Sequence, residues 1–296
     1  MFPAQAMITY IRERFHPLWR LRKQAWYRAL QRRVDFPVRT GRAPIRYYVM
    51  ALRDFSLLAP HRAAEAVAQR VFAEMARKLP VTHFFDVGAN VGTYAWSALE
   101  AAPEVKVFLF EPDPVNAGLI RKTLRKNGLV PAAFWEGVVA GSSGTRTFFV
   151  DEASGTVGSL RDDTGKSYSL QSAYKVARSI TVPATTLDSY AEAVAGAKSQ
   201  VLIKVDVEGA EEEVLAGGRE FIRRWRPLFL MECFDLKNIG MLRELDYVLF
   251  DLRENANYLL APREKLAELG ARGVLPLGGL APELAGQAAQ ELREAR

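Results

Sequence analysis

An α/β fold, with an open and mostly parallel sheet covered by helices on both faces, is what this sequence predicts, and three observations predict it. Apolar runs of strand length at 84–87, 105–110, 201–205 and 228–231 alternate with segments of helical period. The first run breaks at a glycine turn, Gly88-Ala89-Asn90-Val91-Gly92, with a helical stretch directly behind it. Acidic residues recur near the ends of these runs, at Asp86, Glu111, Asp206 and Glu232. The carboxyl edge of an open α/β sheet is where such folds bind ligands.

The chain has 296 residues, 49% of them hydrophobic and 25% charged, which suits a soluble protein with a sizeable core. Its single cysteine, Cys233, rules out a disulfide framework or a thiolate cluster and fits a reducing compartment. There is no apolar run of ~18 residues, and charges recur from Arg12 onward where a leader would be apolar, so a cytoplasmic protein is expected. The net charge of +6 is unevenly spread. Residues 1–50 hold eleven Arg and Lys against two acids, a balance of +9, so the remainder carries −3. A nucleic-acid enzyme more often carries positive charge on the body that holds its active site, and nucleic acid is not the expected partner.

Residues 1–50 read as a basic, aromatic-rich helical extension, with Ile8, Ile11, Phe15 and Leu18 at helical spacing and Pro17 bending or starting a helix. Residues 1–35 could lie on an anionic membrane surface, peripheral to the cytoplasmic face, or pack on the body with their arginines in water. Pro37, Gly41 and Pro44 mark a linker. The catalytic body is placed at 51–262, and an Ala/Gly/Glu-rich tail at 263–296. Residues 61–79 form an amphipathic helix with Val67, Val71, Phe72, Met75 and Leu79 on one stripe.

The strand at 84–87, the glycine turn and a helix from Thr93 together make a cradle for a nucleotide-like ligand, because glycine lets the backbone approach and the helix's first N–H groups are free. A dinucleotide site asks for G-x-G-x-x-G. Here Asp86, Gly88, Asn90 and Gly92 give D-x-G-x-N-x-G, with Asn90 where a tolerant residue must take positive φ. This resembles the first motif of class I S-adenosylmethionine (SAM) methyltransferases. The next strand, 105–110, delivers Glu111-Pro112, and Glu111 is placed to accept hydrogen bonds from ribose hydroxyls. A helix runs from Pro114 to a stop at Asn127-Gly128. The third strand spans 132–139, and a residue within 136–139, with Glu136 the candidate, is expected to flank the adenine. A turn at 141–144 leads to 145–150 as its hairpin partner, and the polar stretch 151–179 is placed as a substrate lid. Thr185 and Asp188 have capping-box spacing for a helix at 187–194. The fourth strand, 200–206, puts Lys204 and Asp206 on one side, with Glu208 in the turn beyond and Glu211 to Glu213 read as solvated. The fifth strand, 227–233, brings Glu232 to the same edge, and 245–252 with 257–260 close the sheet.

Five segments in this order resemble the FkbM family of SAM-dependent methyltransferases: 85–92, 110–113, Thr186-Leu187-Asp188, the run Leu202-Ile203-Lys204-Val205-Asp206-Val207-Glu208-Gly209-Ala210-Glu211, and Leu230-Met231-Glu232. The resemblance implies a Rossmann-like class I methyltransferase sheet of seven strands, SAM as cofactor, and methyl transfer to a hydroxyl. Proteins of that kind often carry a histidine soon after the glutamate of the fifth strand; here Cys233-Phe234 follow Glu232. The residues agree with oxygen as the acceptor. An alcohol must lose its proton to attack, and a carboxylate within hydrogen-bond reach can take it. Asp206 is placed as base or substrate anchor, Glu208 and Glu232 as its partners, and Lys204 as the group that orients them; Lys204 and Asp206 would equally serve as an ion pair steadying the strand end. Asp206, Glu208 and Glu232 offer only hard oxygen ligands, so Mg²⁺ is the metal they would take, although no spacing demands one. His16, His61 and His83 fall in no ligand pattern. The expected function is O-methylation of a glycan, lipid-linked saccharide or secondary metabolite. A non-catalytic membrane-surface adaptor and an RNA methyltransferase recruited by the basic arm are the competing readings.

Overall fold

The computed structural model describes residues 21, 24–39, 45–50, 52–54, 65–153, 155–156, 158–160, 177–196, 199–254 and 256–274. Residues 1–20 of the basic arm, most of the stretch expected as a lid, the start expected for the 61–79 helix and the end of the tail lie outside them. Among the described residues no helix is long and apolar enough to cross a membrane.

The chain enters through helix α1 (Ala25–Gln31) and an antiparallel hairpin, β1 (Asp35–Arg39) and β2 (Arg46–Met50). Helix α2 (Ala66–Lys78) precedes the core, in which β3 (Val81–Val87), α3 (Thr93–Ala101), β4 (Lys106–Phe110), α4 (Pro114–Asn127) and β5 (Ala133–Trp135) alternate. After β6 (Val138–Val139), β7 (Gly144–Asp151) and β8 (Ala177–Thr185), the alternation resumes with β9 (Gln200–Val205), α5 (Glu211–Ala216), α6 (Arg219–Trp225) and β10 (Leu228–Glu232). Strands β11 (Tyr247–Asp251) and β12 (Asn257–Pro262) close it. The seven-stranded sheet has the order β11-β12-β10-β9-β3-β4-β5. Its strands from β10 to β5 are parallel; β12 is antiparallel to both β10 and β11.

Adjacent phenylalanines show why the central strands read as continuous apolar runs rather than alternating ones. Phe84 faces a core with Phe72 of α2, Trp96 of α3 and Ile120 of α4, whereas Phe85 faces Val214 of α5 and Phe221 of α6. Both faces are covered, so both pleats must be apolar. Helix α4 starts as its sequence suggests: Asp113 Oδ1 accepts from Val115 N–H at 2.7 Å, Pro114 occupies the first turn, and Gly128 takes φ 63° at the end.

Four expectations differ. The 37–44 linker is in part a strand: Pro37 lies in β1, and the hairpin packs on α4 through Tyr48 N–H to Thr123 Oγ1 (2.9 Å) and Arg46 N–H to Asn127 Oδ1 (3.0 Å). The arginines of α1 are not simply solvated, since Arg28 and Arg32 reach Glu152 at 3.6 and 2.9 Å. Residues 145–150 do not pair back on 132–139. They run antiparallel to β8, which pairs in parallel with β6, and these three strands form a separate sheet. Because Thr185 is held in β8 against Val139, the helix expected at 187–194 shrinks to a 3-10 turn at Asp188–Tyr190, where Ser189 N–H donates to Thr186 Oγ1.

Candidate active site

The β3–α3 turn forms the floor of a cleft. Gly88 (φ 79°) sits so close to the next strand's exit that a Cβ there would stand 1.9 Å from the Asp206 carbonyl oxygen, a contact only glycine allows. Asn90 takes φ 55°, as expected of the residue between the glycines. The cleft encloses about 550 Å³ of space between atoms, part of it open solvent. Of the residues expected to hold a cofactor, Gly88, Asn90, Glu111 and Pro112 line it. Asp86 lies beneath: its buried carboxylate accepts from Ala95 N–H of α3 at 3.1 Å. Gly92 packs against the Trp96 ring. Glu136 turns away to an ion pair with Arg121, and Gly137, Val138 and Val139 supply that wall instead. Phe148, Gly155, Gly158 and Leu160 form the far side, which the sequence reading placed only as hairpin and lid.

Glu111 Oε2 accepts from Asn90 N–H at 2.6 Å, and Oε1 accepts from Asp113 N–H at 2.8 Å. A carboxylate offers about four lone-pair sites, so acceptors remain for a ligand's hydroxyls. Burial pushes the Glu111 carboxyl up to about 8, with Asp113 adding to it. Burial raises Asp86 to about 7, against the pull of Lys204. The buried Oδ1 of Asn90 has no hydrogen-bond partner among the described residues. An adenosyl group, with hydroxyls to donate and a flat apolar base to enclose, fits these acceptors and the Val138, Phe148 and Leu160 walls.

Beside the cleft, at the ends of β9 and β10, lies an acidic cluster. Lys204 Nζ, fully buried, pairs with Asp206 Oδ2 at 3.2 Å, as the alternation along β9 required. It also stands 5.2 Å over the Tyr94 ring. Burial pushes the Lys204 ammonium down, but Asp206, Glu65 and Glu232 push it up by more. Carboxylate oxygens of Glu65, Asp206 and Glu232 lie within 4.8 Å of one another. Burial, then Asp206 and Glu208, holds the Glu232 carboxyl well above its usual range, and burial likewise raises Glu65. Glu208 contributes charge and a backbone carbonyl, which accepts from Ser159 Oγ at 2.8 Å, but it is Glu65 that stands with Asp206 and Glu232. The Lys204 ammonium already sits against Asp206, so the cluster contains its own cation.

Glu65 was not foreseen. It precedes α2, accepts from Tyr94 Oη at 3.2 Å, and has no motif around it. Glu211, read as solvated, is buried; its carboxylate accepts from Gly209 N–H (2.8 Å) and Asn238 Nδ2 (2.9 Å). His83 is buried on β3, away from the cluster.

A glycine turn at the carboxyl edge, an acid on the neighbouring strand and the β11-β12-β10-β9-β3-β4-β5 order define a Rossmann-like methyltransferase fold. Residues 86–260, more than half of the chain, match the model of the methyltransferase FkbM domain, and the chain belongs to that family. The 2-O-methyltransferase NoeI of Sinorhizobium fredii (strain NBRC 101917 / NGR234) is 30% identical over 153 residues. That match covers 49% of this chain and 60% of NoeI, so the chain spans about three fifths of that relative's length. The crystal structure of the methyltransferase FkbM from Methylobacillus flagellatus KT has a TM-score of 0.40 at 15% identity, covering 61% of this chain and 43% of that one. A methyltransferase from Geobacter sulfurreducens gives 0.38 at 13% identity, covering 70% and 88%. Both scores are low, and the fold rests on the strand order.

Proposed function

We propose that this chain is a SAM-dependent O-methyltransferase acting on a hydroxyl of a glycan, lipid-linked saccharide or secondary metabolite. The observation that carries this reading is the Lys204–Asp206 pair with Glu65 and Glu232, set directly beside a cleft suited to an adenosyl group. When bound, SAM supplies an electrophilic methyl on a good leaving group. The chain's own part is to bind and align. Glu111 and Asn90 hold the adenosyl end, and Gly88 lets it approach the backbone. Asp206 accepts the hydroxyl proton or anchors the hydroxyl, while Lys204 fixes its carboxylate. Burial raises the Glu65 and Glu232 carboxyls, so that in their protonated form they can donate to neighbouring oxygens of a polyol. Alignment of the acceptor oxygen supplies much of the rate. The 2-O-methyltransferase among the relatives supports oxygen as the acceptor. The hydroxyl reading is favoured over an adaptor by the acceptors that Glu111 and Asn90 bring to the cleft. It is favoured over RNA by the acidic character of the site.

Calorimetry with SAM, paired with transfer of labelled methyl to a panel of saccharides and their amino-sugar counterparts, tests it. Binding at micromolar to millimolar SAM with label on hydroxyls is expected. No binding at millimolar SAM, or label only on amines, would sink the proposal.

A further inference from the structure

The far wall of the cleft is anchored by residues that come from outside the sheet. At the end of β2 the chain turns so that Arg53 and Asp54 N–H both donate to the Met50 carbonyl, at 3.0 and 2.7 Å. Asp54 Oδ2 in turn accepts from Met50 N–H at 2.7 Å, and its carboxylate accepts from Arg53 Nε (2.7 Å) and Nη2 (3.4 Å). Arg53 is 5% exposed and Asp54 2%. A buried guanidinium needs partners along each edge, since an unpaired buried charge is costly. Asp54 covers one edge, and Nη2 also donates to Asn116 Oδ1 of α4.

That last contact fixes more than Arg53. A guanidinium only donates, so Asn116 must turn its oxygen toward Arg53 and its amino group the opposite way. Nδ2 then donates to the Gly155 carbonyl at 2.9 Å and approaches Glu111 Oε1 at 3.4 Å. Gly155 lies on the guanidinium itself: its φ is +67°, and a Cβ would stand 2.5 Å from Arg53 Nη1. One buried cation thus touches both the amide that reaches Glu111 and the turn that forms the opposite wall.

We propose that Arg53 is a positioning residue of the cofactor cleft, holding the Glu111 carboxylate and the Gly155 wall in register through the orientation it imposes on Asn116. The inference rests on the reading of the cleft as an adenosyl site. It gives the N-terminal segment a part in cofactor binding, because Arg53 lies upstream of the family-matched residues 86–260. The charges around it agree: Arg53 faces Asp54, Asp113 and Glu111, and it is the cation among these buried carboxylates.

Two substitutions test it with S-adenosylhomocysteine as the calorimetric probe on the full chain. In Asn116→Asp the carboxylate keeps a bond to Arg53, and gains charge pairing, but offers Glu111 and the Gly155 carbonyl an acceptor where they need a donor. The melting temperature should stay within a few degrees of wild type while affinity falls tenfold or more. Arg53→Gln frees the Asn116 amide to flip and should weaken binding by a similar factor; Arg53→Lys, which lacks the planar fork, should not restore it. If Arg53→Gln does not fold, Asn116→Asp carries the test alone. Wild-type binding with both variants within twofold of it overturns the positioning role and leaves the cofactor reading intact. No binding by the wild type overturns the cofactor reading itself.

Discussion

Asp206 occupies a point where three elements meet. Its N–H donates to the Val87 carbonyl at 3.0 Å, its own carbonyl lies against Gly88, and its carboxylate pairs with Lys204. The backbone is therefore fixed by β3 whatever the side chain does, which makes Asp206→Asn a clean test. The amide is isosteric but cannot take a proton. Affinity for SAM should stay within about twofold, while turnover falls on the order of 10²–10⁴-fold, the range of general-base catalysis. Unchanged turnover would remove Asp206 from the mechanism as a base. At this scale the sequence was legible where spacing is local: Lys204 and Asp206 share a side because strand side chains alternate, and Asn90 takes positive φ because the turn asks for it. Glu65 and Asn116 were not legible. Each meets its partners only after distant segments come together, as when Tyr94 reaches Glu65 and Arg53 reaches Asn116, and no short-range pattern records that.

Helix α2 shows the same division among elements. Its apolar stripe announced the helix, and Val71, Phe72 and Met75 are buried as the stripe required. Its start was not visible, because the cap comes from elsewhere. Glu65, at the capping position, makes no capping bond, since its carboxylate is turned to Tyr94. Glu254, between β11 and β12, accepts from Val67 N–H (3.0 Å) and Ala68 N–H (2.8 Å) instead. The negative charge also opposes the positive end of the helix. Glu254→Ala should therefore lower stability by about 1 kcal/mol, as loss of an N-cap does. That corresponds to roughly 2–4 °C in melting temperature for a domain of this size. It should also lower methyl transfer, since the end of α2 carries Glu65 into the site; a variant that melts and turns over like wild type would refute the coupling. The β7–β8 pairing was hidden for a related reason: a Gly-Ser-Ser-Gly turn suggested a hairpin with the preceding strand, yet the partner begins only at Ala177.

Across the whole molecule, the doubly covered sheet is what the continuous apolar runs described, and its carboxyl edge gathers acids that the core then buries. Burying a carboxylate favours its protonated form. Asp86 rises from 3.8 to about 7 and Glu111 from 4.5 to about 8, and Glu65 and Glu232 move in the same direction. At Asp86 and Glu111 the folded chain therefore holds protons that the unfolded chain has released above about pH 5. A raised pKa contributes stability that is complete below the unfolded value and disappears as pH rises through the folded value. For Asp86 and Glu111 that window runs from about 4 to about 8. The surface pairs act oppositely: Glu74, Glu152 and Glu264 are lowered, so their contribution is lost only as pH falls below the ordinary carboxylate range. Stability of the ligand-free chain should accordingly peak on the acidic side and decline between about pH 5 and 8, by roughly 2–4 °C for each kcal/mol lost. Glu111→Gln, which stays neutral, should flatten that decline, while weakening S-adenosylhomocysteine binding if the ribose hydroxyls donate to a carboxylate. Melting curves across this range settle the sign: a melting temperature that holds level or climbs from pH 5 to 8 would mean that Asp86 and Glu111 are ionised in the fold.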